Sequence, residues 1–392
     1  MKPIHLLVAI LLSFPGVAPG IEPDVGSALA RAHALEQQLE FTEVIQTLRP
    51  FEDSGNADVE FGLANAYMNL AINGRKPDEI KAQDIQPAID FAQRAAAHGS
   101  KEAWNLLYMI HGNGWGTPVD ADKALDFLKR GVAAGDAGAK TNYAIQLYQG
   151  SELVPRDRAA ACPLIDELAR DPSTQVVMVY YAGLVRFLGQ CGMKADKVAG
   201  VNLIEIAAEH GVRDAERDMG KNYEFGWRDA KDLKRALDWY EKAAGHGDPH
   251  SQWRIGMAWL NGELRQKDSA EAVDYFEQAA ASGDANGMVD LGVMYSTGDG
   301  VAKDFDKARS LYEEAAALGS PEAYRELAVI YANGEGVVSD PVRARTLYLQ
   351  AIELGSPEKP ALLQAIESRA SPDQISKSDK QFQRWKHARD EN

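Results

Sequence analysis

Two cysteines, Cys162 and Cys191, are the residues best suited to chemistry in this chain. They do not form a C-x-x-C pair, which excludes a redox-active dithiol of the usual kind. A structural disulfide and two free thiols remain. The eight histidines offer less. His98, His210 and His246 each stand just before a glycine, where a helix ends and the negative end of its dipole favours such a side chain. His246 and His250 are four apart, but Gly-Asp-Pro lies between them, so they share no helix face and make no zinc pair. No G-x-S-x-G, H-E-x-x-H or P-loop occurs, and "GDG" lacks the ligand spacing of a calcium loop. The expectation is a non-enzyme with no catalytic residues, no metal and no cofactor.

What must position these residues is a period. Glycines that precede a fresh segment fall at Gly99 and Gly135, then at Gly211, Gly247, Gly283, Gly319 and Gly355, mostly 36 apart. A second series runs Gly114, Gly150, Gly189, Gly226, Gly262, Gly298 and Gly334. A small residue recurs at Ala88, Ala124, Ala160, Gly200, Ala236, Ala272, Ala308 and Ala344. Four residues before each stands Asp84, Asp120, Arg156, Asp196, Asp232, Asp268, Asp304 or Asp340.

Each register has a physical reason. In "ANGMVDLGVMYST", Gly287, Leu291 and Tyr295 lie four apart and share the face of one helix, helix A. Gly298 ends it, because glycine takes a left-handed C-cap cheaply. Asp304 fits the N-cap of helix B, where its carboxylate accepts backbone N–H bonds. Helix B carries Ala308, Leu311, Tyr312, Ala315 and Ala316 on one stripe. The alanines let helices approach closely, and the Tyr and Leu of the neighbouring unit are expected to fill the gap. No unit buries a core alone, which is the logic of an α-solenoid. Tyr223, Trp259, Tyr295 and Tyr331 hold one repeating place and read as core.

The recurrent pattern, clearest in "LGVMYSTGDGVAKDFDKARSLYEEAAALG" and "LAVIYANGEGVVSDPVRARTLYLQAIELG", resembles the Sel1-like repeat, a relative of the tetratricopeptide repeat. The resemblance implies an all-α right-handed superhelix of about eight helix-turn-helix repeats over 56–356. The unit at 56–100 carries the insertion "NGRKPDEIKAQD", and the unit at 137–173 has lost its Asp (Arg156) and its closing Gly. Residues 21–55 read as an N-terminal tetratricopeptide-like helix pair, and 357–392 as C-terminal capping helices with a tail. In such a stack the hairpin carrying Cys191, which takes the second hairpin glycine's place, should approach the preceding B helix carrying Cys162. A disulfide there would brace the most irregular part of the array.

The chain carries 58 Asp plus Glu against 42 Lys plus Arg, a formal net charge of −16, which disfavours nucleic acid as a partner. "MKPIHLLVAILLSFPGVAPG" has a Lys, an apolar run too short to span a bilayer, and small residues at Ala18 and Gly20. It reads as a signal peptide (1–20) cut after Gly20. No Cys stands there, so a lipoprotein anchor is not expected. The mature chain should be periplasmic or secreted, with no membrane span.

In solenoids of the resembled family, helix A lines the inner face. Trp104, Trp253 and Tyr324 lie one or two places after the small residue that starts helix A, and Asn105, Arg217, Trp253 and Arg325 share one equivalent, freely varying place. These six are the candidate concave-face residues. The resemblance and the missing catalytic constellation imply a scaffold that binds a protein or peptide partner, in envelope processes such as exopolysaccharide secretion. A polysaccharide on the inner Trp and Tyr residues is the alternative. Sel1-like proteins linked to β-lactam binding or hydrolysis carry a cysteine pair in nearly every unit; this chain has two cysteines in all.

Overall fold

The computed structural model describes residues 24–151, 153–170, 176–263 and 266–390. The stretch read as a signal peptide lies outside them. The described residues hold twenty α-helices and no strand, in two compact units divided after Asp196. The first unit contains α1 (Val25–Gln37), α2 (Phe41–Leu48), α3 (Ala57–Ile72), α4 (Ala82–Ala97), α5 (Glu102–Asn113), α6 (Ala121–Ala133), α7 (Ala137–Gln149), α8 (Arg158–Leu168) and α9 (Val176–Leu188). The second contains α10 (Lys197–Glu209), α11 (Arg213–Phe225), α12 (Leu233–Gly245), α13 (Pro249–Asn261), α14 (Ser269–Ala281), α15 (Ala285–Thr297), α16 (Phe305–Ala317), α17 (Pro321–Asn333), α18 (Pro341–Glu353), α19 (Pro360–Glu367) and α20 (Pro372–Asp390). From α3 onward, odd-numbered helices are A helices and even-numbered ones B helices, through α18.

Within a repeat of the second unit, ring meets glycine. Tyr240, Phe276 and Tyr312 project from α12, α14 and α16 and are fully buried. Facing them on the A helices are Gly220, Gly256 and Gly292, where an added Cβ would lie 2.5–2.6 Å from the ring. Burying each such ring stabilises by roughly 2 kcal/mol or more. Between repeats, small meets small: Gly287 of α15 faces Ala279 of α14, and Gly131 of α6 faces Ala139 of α7, each 2.6 Å from an added Cβ.

The aspartates before the B helices cap them as expected. Asp120, Asp232, Asp268, Asp304 and Asp340 each accept from a first-turn backbone N–H. Their own amides close the hairpin: those of Asp232, Asp268, Asp304 and Asp340 donate to the carbonyls of Tyr223, Trp259, Tyr295 and Tyr331. Those Tyr rings are buried as read, while Trp259 is partly buried. Three residues after the cap, Arg235, Lys307 and Arg343 lie over the Tyr223, Tyr295 and Tyr331 rings.

Two positions depart from the pattern. Asp84 is not a cap: α4 starts earlier, after Lys81, because the inserted segment ends in a short turn (Pro77–Glu79) anchored by buried Ile80. Asp84 instead pairs with Arg75 at 2.9 Å. In the unit that lost its Asp at 156, the next residue restores the function, since Asp157 accepts from the Ala160 amide.

At the chain ends, α1, α2 and α3 share a core of Val44, Leu48, Val59 and Leu63. Ile366 of α19 joins the core of the second unit. From α20, Trp385 packs edge-on to Tyr324 (6.2 Å), and Asp379 receives Arg345 at 2.6 Å. No helix of the described residues is long and apolar enough to cross a membrane.

Candidate binding face

The A helices carry all six candidate residues, two in the first unit and four in the second. In the first, the Trp104 ring is half-buried against Phe127 (6.0 Å) with the Arg130 guanidinium 5.2 Å from its centroid. Asn105, next to it, is buried, and its Oδ1 accepts from Asn142 Nδ2 at 2.8 Å. In the second, Arg217 Nη1 donates to Asp248 Oδ1 at 2.9 Å, and Trp253 Nε1 donates to Asp290 Oδ2 at 2.7 Å. Arg325 Nη1 lies 3.3 Å from Ser356 Oγ. Tyr324 faces Trp385, as described.

Asn105, Arg217, Trp253 and Arg325 thus do one thing. Each reaches from its A helix to the start of the following repeat, 31 or 37 residues on. Two of the acceptors hold the residue just after a closing glycine, Asp248 and Ser356. Asp248 also caps α13 through the Ser251 amide and is almost fully buried. The bond is not made in every repeat: at the same place of α15, Val289 is buried and apolar. Complementary residues at these two separations were the signal in the sequence.

Trp104 and Tyr324, one place earlier, face elsewhere. Trp104 meets α6, the B helix of its own repeat, whereas Tyr324 meets α20. At the same place of other repeats Glu60 and Glu216, both buried, bond His98 (2.6 Å) and His246 (2.7 Å) at the ends of α4 and α12. The histidines sit at helix C-caps, as their glycines foretold.

A second register on the A helices of this unit escaped the sequence reading. Four residues after the latch place stand Lys221, Met257, Val293 and Val329, spaced by 36 and each half-buried. One place after the latch stand Asp218, Arg254, Asp290 and Glu326. Arg254 is buried and tied to Glu224 and Glu263, both at 2.7 Å. Burial is the main cause that raises the Asp290 carboxyl above the usual range; Asp284 and Glu326 push it further, and the Trp253 bond opposes them. His250, 5.2 Å from the Trp253 ring, is held below the usual imidazole range chiefly by burial.

In the first unit, Cys162 of α8 and Cys191 of the following hairpin form a disulfide, with Cα atoms 6.0 Å apart. Cys191 has φ 60°, the left-handed conformation that Gly116, Gly300 and Gly336 take at the same place of their hairpins. Trp115, another hairpin aromatic of that unit, is buried in the core, and Trp227 of the second unit stacks on exposed Phe225.

The chain matches the Sel1 repeat over residues 60–100, 109–136, 178–212, 213–248, 249–284, 285–320 and 321–356. The stretch left out holds α7 and α8, a helix pair that keeps the repeat's shape after losing its sequence. A Sel1 repeat protein from Oxalobacter formigenes is 27% identical over 77% of this chain and 85% of its own, with a TM-score of 0.51. A protective antigen of uropathogenic Escherichia coli displaying the same fold is 20% identical over 92% of this chain and 91% of its own, at a TM-score of 0.38. An immunity protein from Pseudomonas aeruginosa is 20% identical over 50% of this chain and 81% of its own, at a TM-score of 0.33. No curated protein matches. The repeats so matched cover more than half of the sequence, fold as stacked helix pairs of the kind typical of protein-interaction scaffolds, and settle the family: the chain belongs to the Sel1 repeat proteins.

Proposed function

We propose that this chain is an exported, periplasmic scaffold that binds a protein or peptide partner on the A-helix face of its second unit, in an envelope process such as exopolysaccharide secretion. One observation carries the reading. Met257, Val293 and Val329 form an apolar stripe, one residue per repeat, each half-buried, with Met257 and Val293 resting partly on the core. A regular frame that offers apolar side chains in a row suits a partner segment that follows the row. Export is supported by the Cys162–Cys191 disulfide, which persists in oxidising compartments, and by the N-terminal leader pattern. A polysaccharide would need open aromatic faces. The Trp104 ring is covered by Arg130 and Phe127, and Tyr324 meets Trp385.

The test is site-specific photocrosslinking in intact cells, with a benzophenone side chain at 293 or, on the opposite helices, at 313. The reading expects one discrete adduct from 293 that disappears in Val329→Asp, and none from 313. Adducts from 313 alone, or equally from both positions, would overturn it.

A further inference from the structure

We infer that the partner segment of this face is basic and amphipathic, seating apolar side chains on Met257, Val293 and Val329 and a Lys or Arg between Asp290 and Glu326. The inference rests on the binding face proposed above and names its occupant.

Charge decides it. Along α15, α17 and the cap before α15, the acids are Asp284, Asp290, Glu322 and Glu326, and the one base is Arg325. Arg325 is already held by Glu326 and Ser356. Asp290 is bonded by a neutral donor, Trp253 Nε1, and among the described residues no cation acts on it. Its neighbours Asp284 and Glu326 repel it, and burial adds to the cost of its charge. On α11, α13 and the cap before α13 the protein pairs its covered carboxylates with cations: Asp248 has Arg217, and Glu224 has Arg254. Asp290 lies beside the apolar stripe, three residues before Val293 on the same helix, so one partner segment can meet both. An ammonium or guanidinium there would replace repulsion with charge-assisted bonds, while an acidic segment would add a further like charge.

The test uses the full chain and three synthetic 18-residue peptides in isothermal titration calorimetry: Leu/Lys amphipathic, Leu/Glu amphipathic, and Ser/Lys without apolar residues. The Leu/Lys peptide should bind at least tenfold more tightly than either other. Asp290→Lys with Glu326→Lys should weaken it at least tenfold. Glu326→Lys alone, which spares the Trp253 bond, should weaken it about threefold. Glu313→Lys with Glu314→Lys, on exposed positions of α16, should leave it unchanged. Equal binding of the Ser/Lys peptide, or equal loss in both double reversals, would mean diffuse attraction to an acidic protein and overturn the inference. Tighter binding of the Leu/Glu peptide, abolished by Val293→Asp, would overturn the basic occupant and leave the face itself standing. Failure of all three peptides would also overturn the occupant, and the face would then stand or fall on the crosslinks.

Discussion

The repeats at 285–356 and the stretch at 137–196 solve one problem by different chemistry. Each hairpin between an A and a B helix must lie against the B helix of the preceding repeat. In the regular region, glycine does this. Gly300 and Gly336, both at positive φ, leave no room for a side chain: a Cβ on Gly300 would overlap the Ser269 carbonyl, and one on Gly336 would stand 2.7 Å from Phe305 Cβ. In the irregular stretch, the same place holds Cys191, tied covalently to Cys162 of α8. A third solution stands at Arg228, whose guanidinium reaches Glu205 (2.6 Å) and Asn202 (2.8 Å) of α10. Those bonds hold its charge firmly in place, against the cost of partial burial. The comparison teaches that the joint is required and its residue is not. Where close packing is lost, a stronger link takes over.

If so, the irregular stretch should depend on its link more than any single contact elsewhere. Replacing both cysteines by serine should cost about 3–4 kcal/mol, the chain-entropy value for a cross-link spanning 29 residues. Amide hydrogen exchange should rise across α8 and the hairpin before Lys197, while α15 to α18 keep their protection. Uniform loss of protection throughout would break the comparison, because the link would then serve the chain as a whole rather than one joint.

The regular region should be nearly as sensitive at its tightest place. Gly300→Ala should destabilise by about 2–3 kcal/mol. A left-handed alanine costs about 1–2 kcal/mol, and the overlap with Ser269 pushes the hairpin off α14 at about 1 kcal/mol more, the lower end of an overpacking cost. Urea denaturation of the variant would measure it. A cost below about 0.5 kcal/mol would show that the hairpin does not need contact.

Much of this was legible in the sequence. Residues that repeat in register report local requirements, so the caps at Asp232, Asp268, Asp304 and Asp340 and the helix-ending Gly298 were readable from one unit each. The disulfide was readable because Cys191 replaces a glycine whose neighbour is fixed by the stack. The latch from Arg217 to Asp248 and from Trp253 to Asp290 was not read, because each end looks variable until the two are matched across repeats. The same variability had made these residues candidates for partner reading. Asp84 departs from the register because the inserted segment shifts the helix start, and a register that counts residues cannot see where a chain re-enters its helix.

The smallest effect separates the bond from the backbone. With Cys162→Ser the link is gone, yet Cys191 still occupies a left-handed place (φ 60°) where other repeats use glycine. A non-glycine residue there pays about 1–2 kcal/mol in backbone strain, whereas glycine adds roughly 0.5–1 kcal/mol of unfolded-state entropy. Cys191→Gly in the Cys162→Ser background should therefore raise stability by about 0.5–1 kcal/mol, although the same change in the intact protein would remove the disulfide and lower it. A sign reversal between the two backgrounds is what distinguishes a cysteine kept for its bond from one kept for its shape. Equal destabilisation in both would mean that the Cys191 side chain packs usefully on α8 even when reduced, and that the place had ceased to be a glycine site at all.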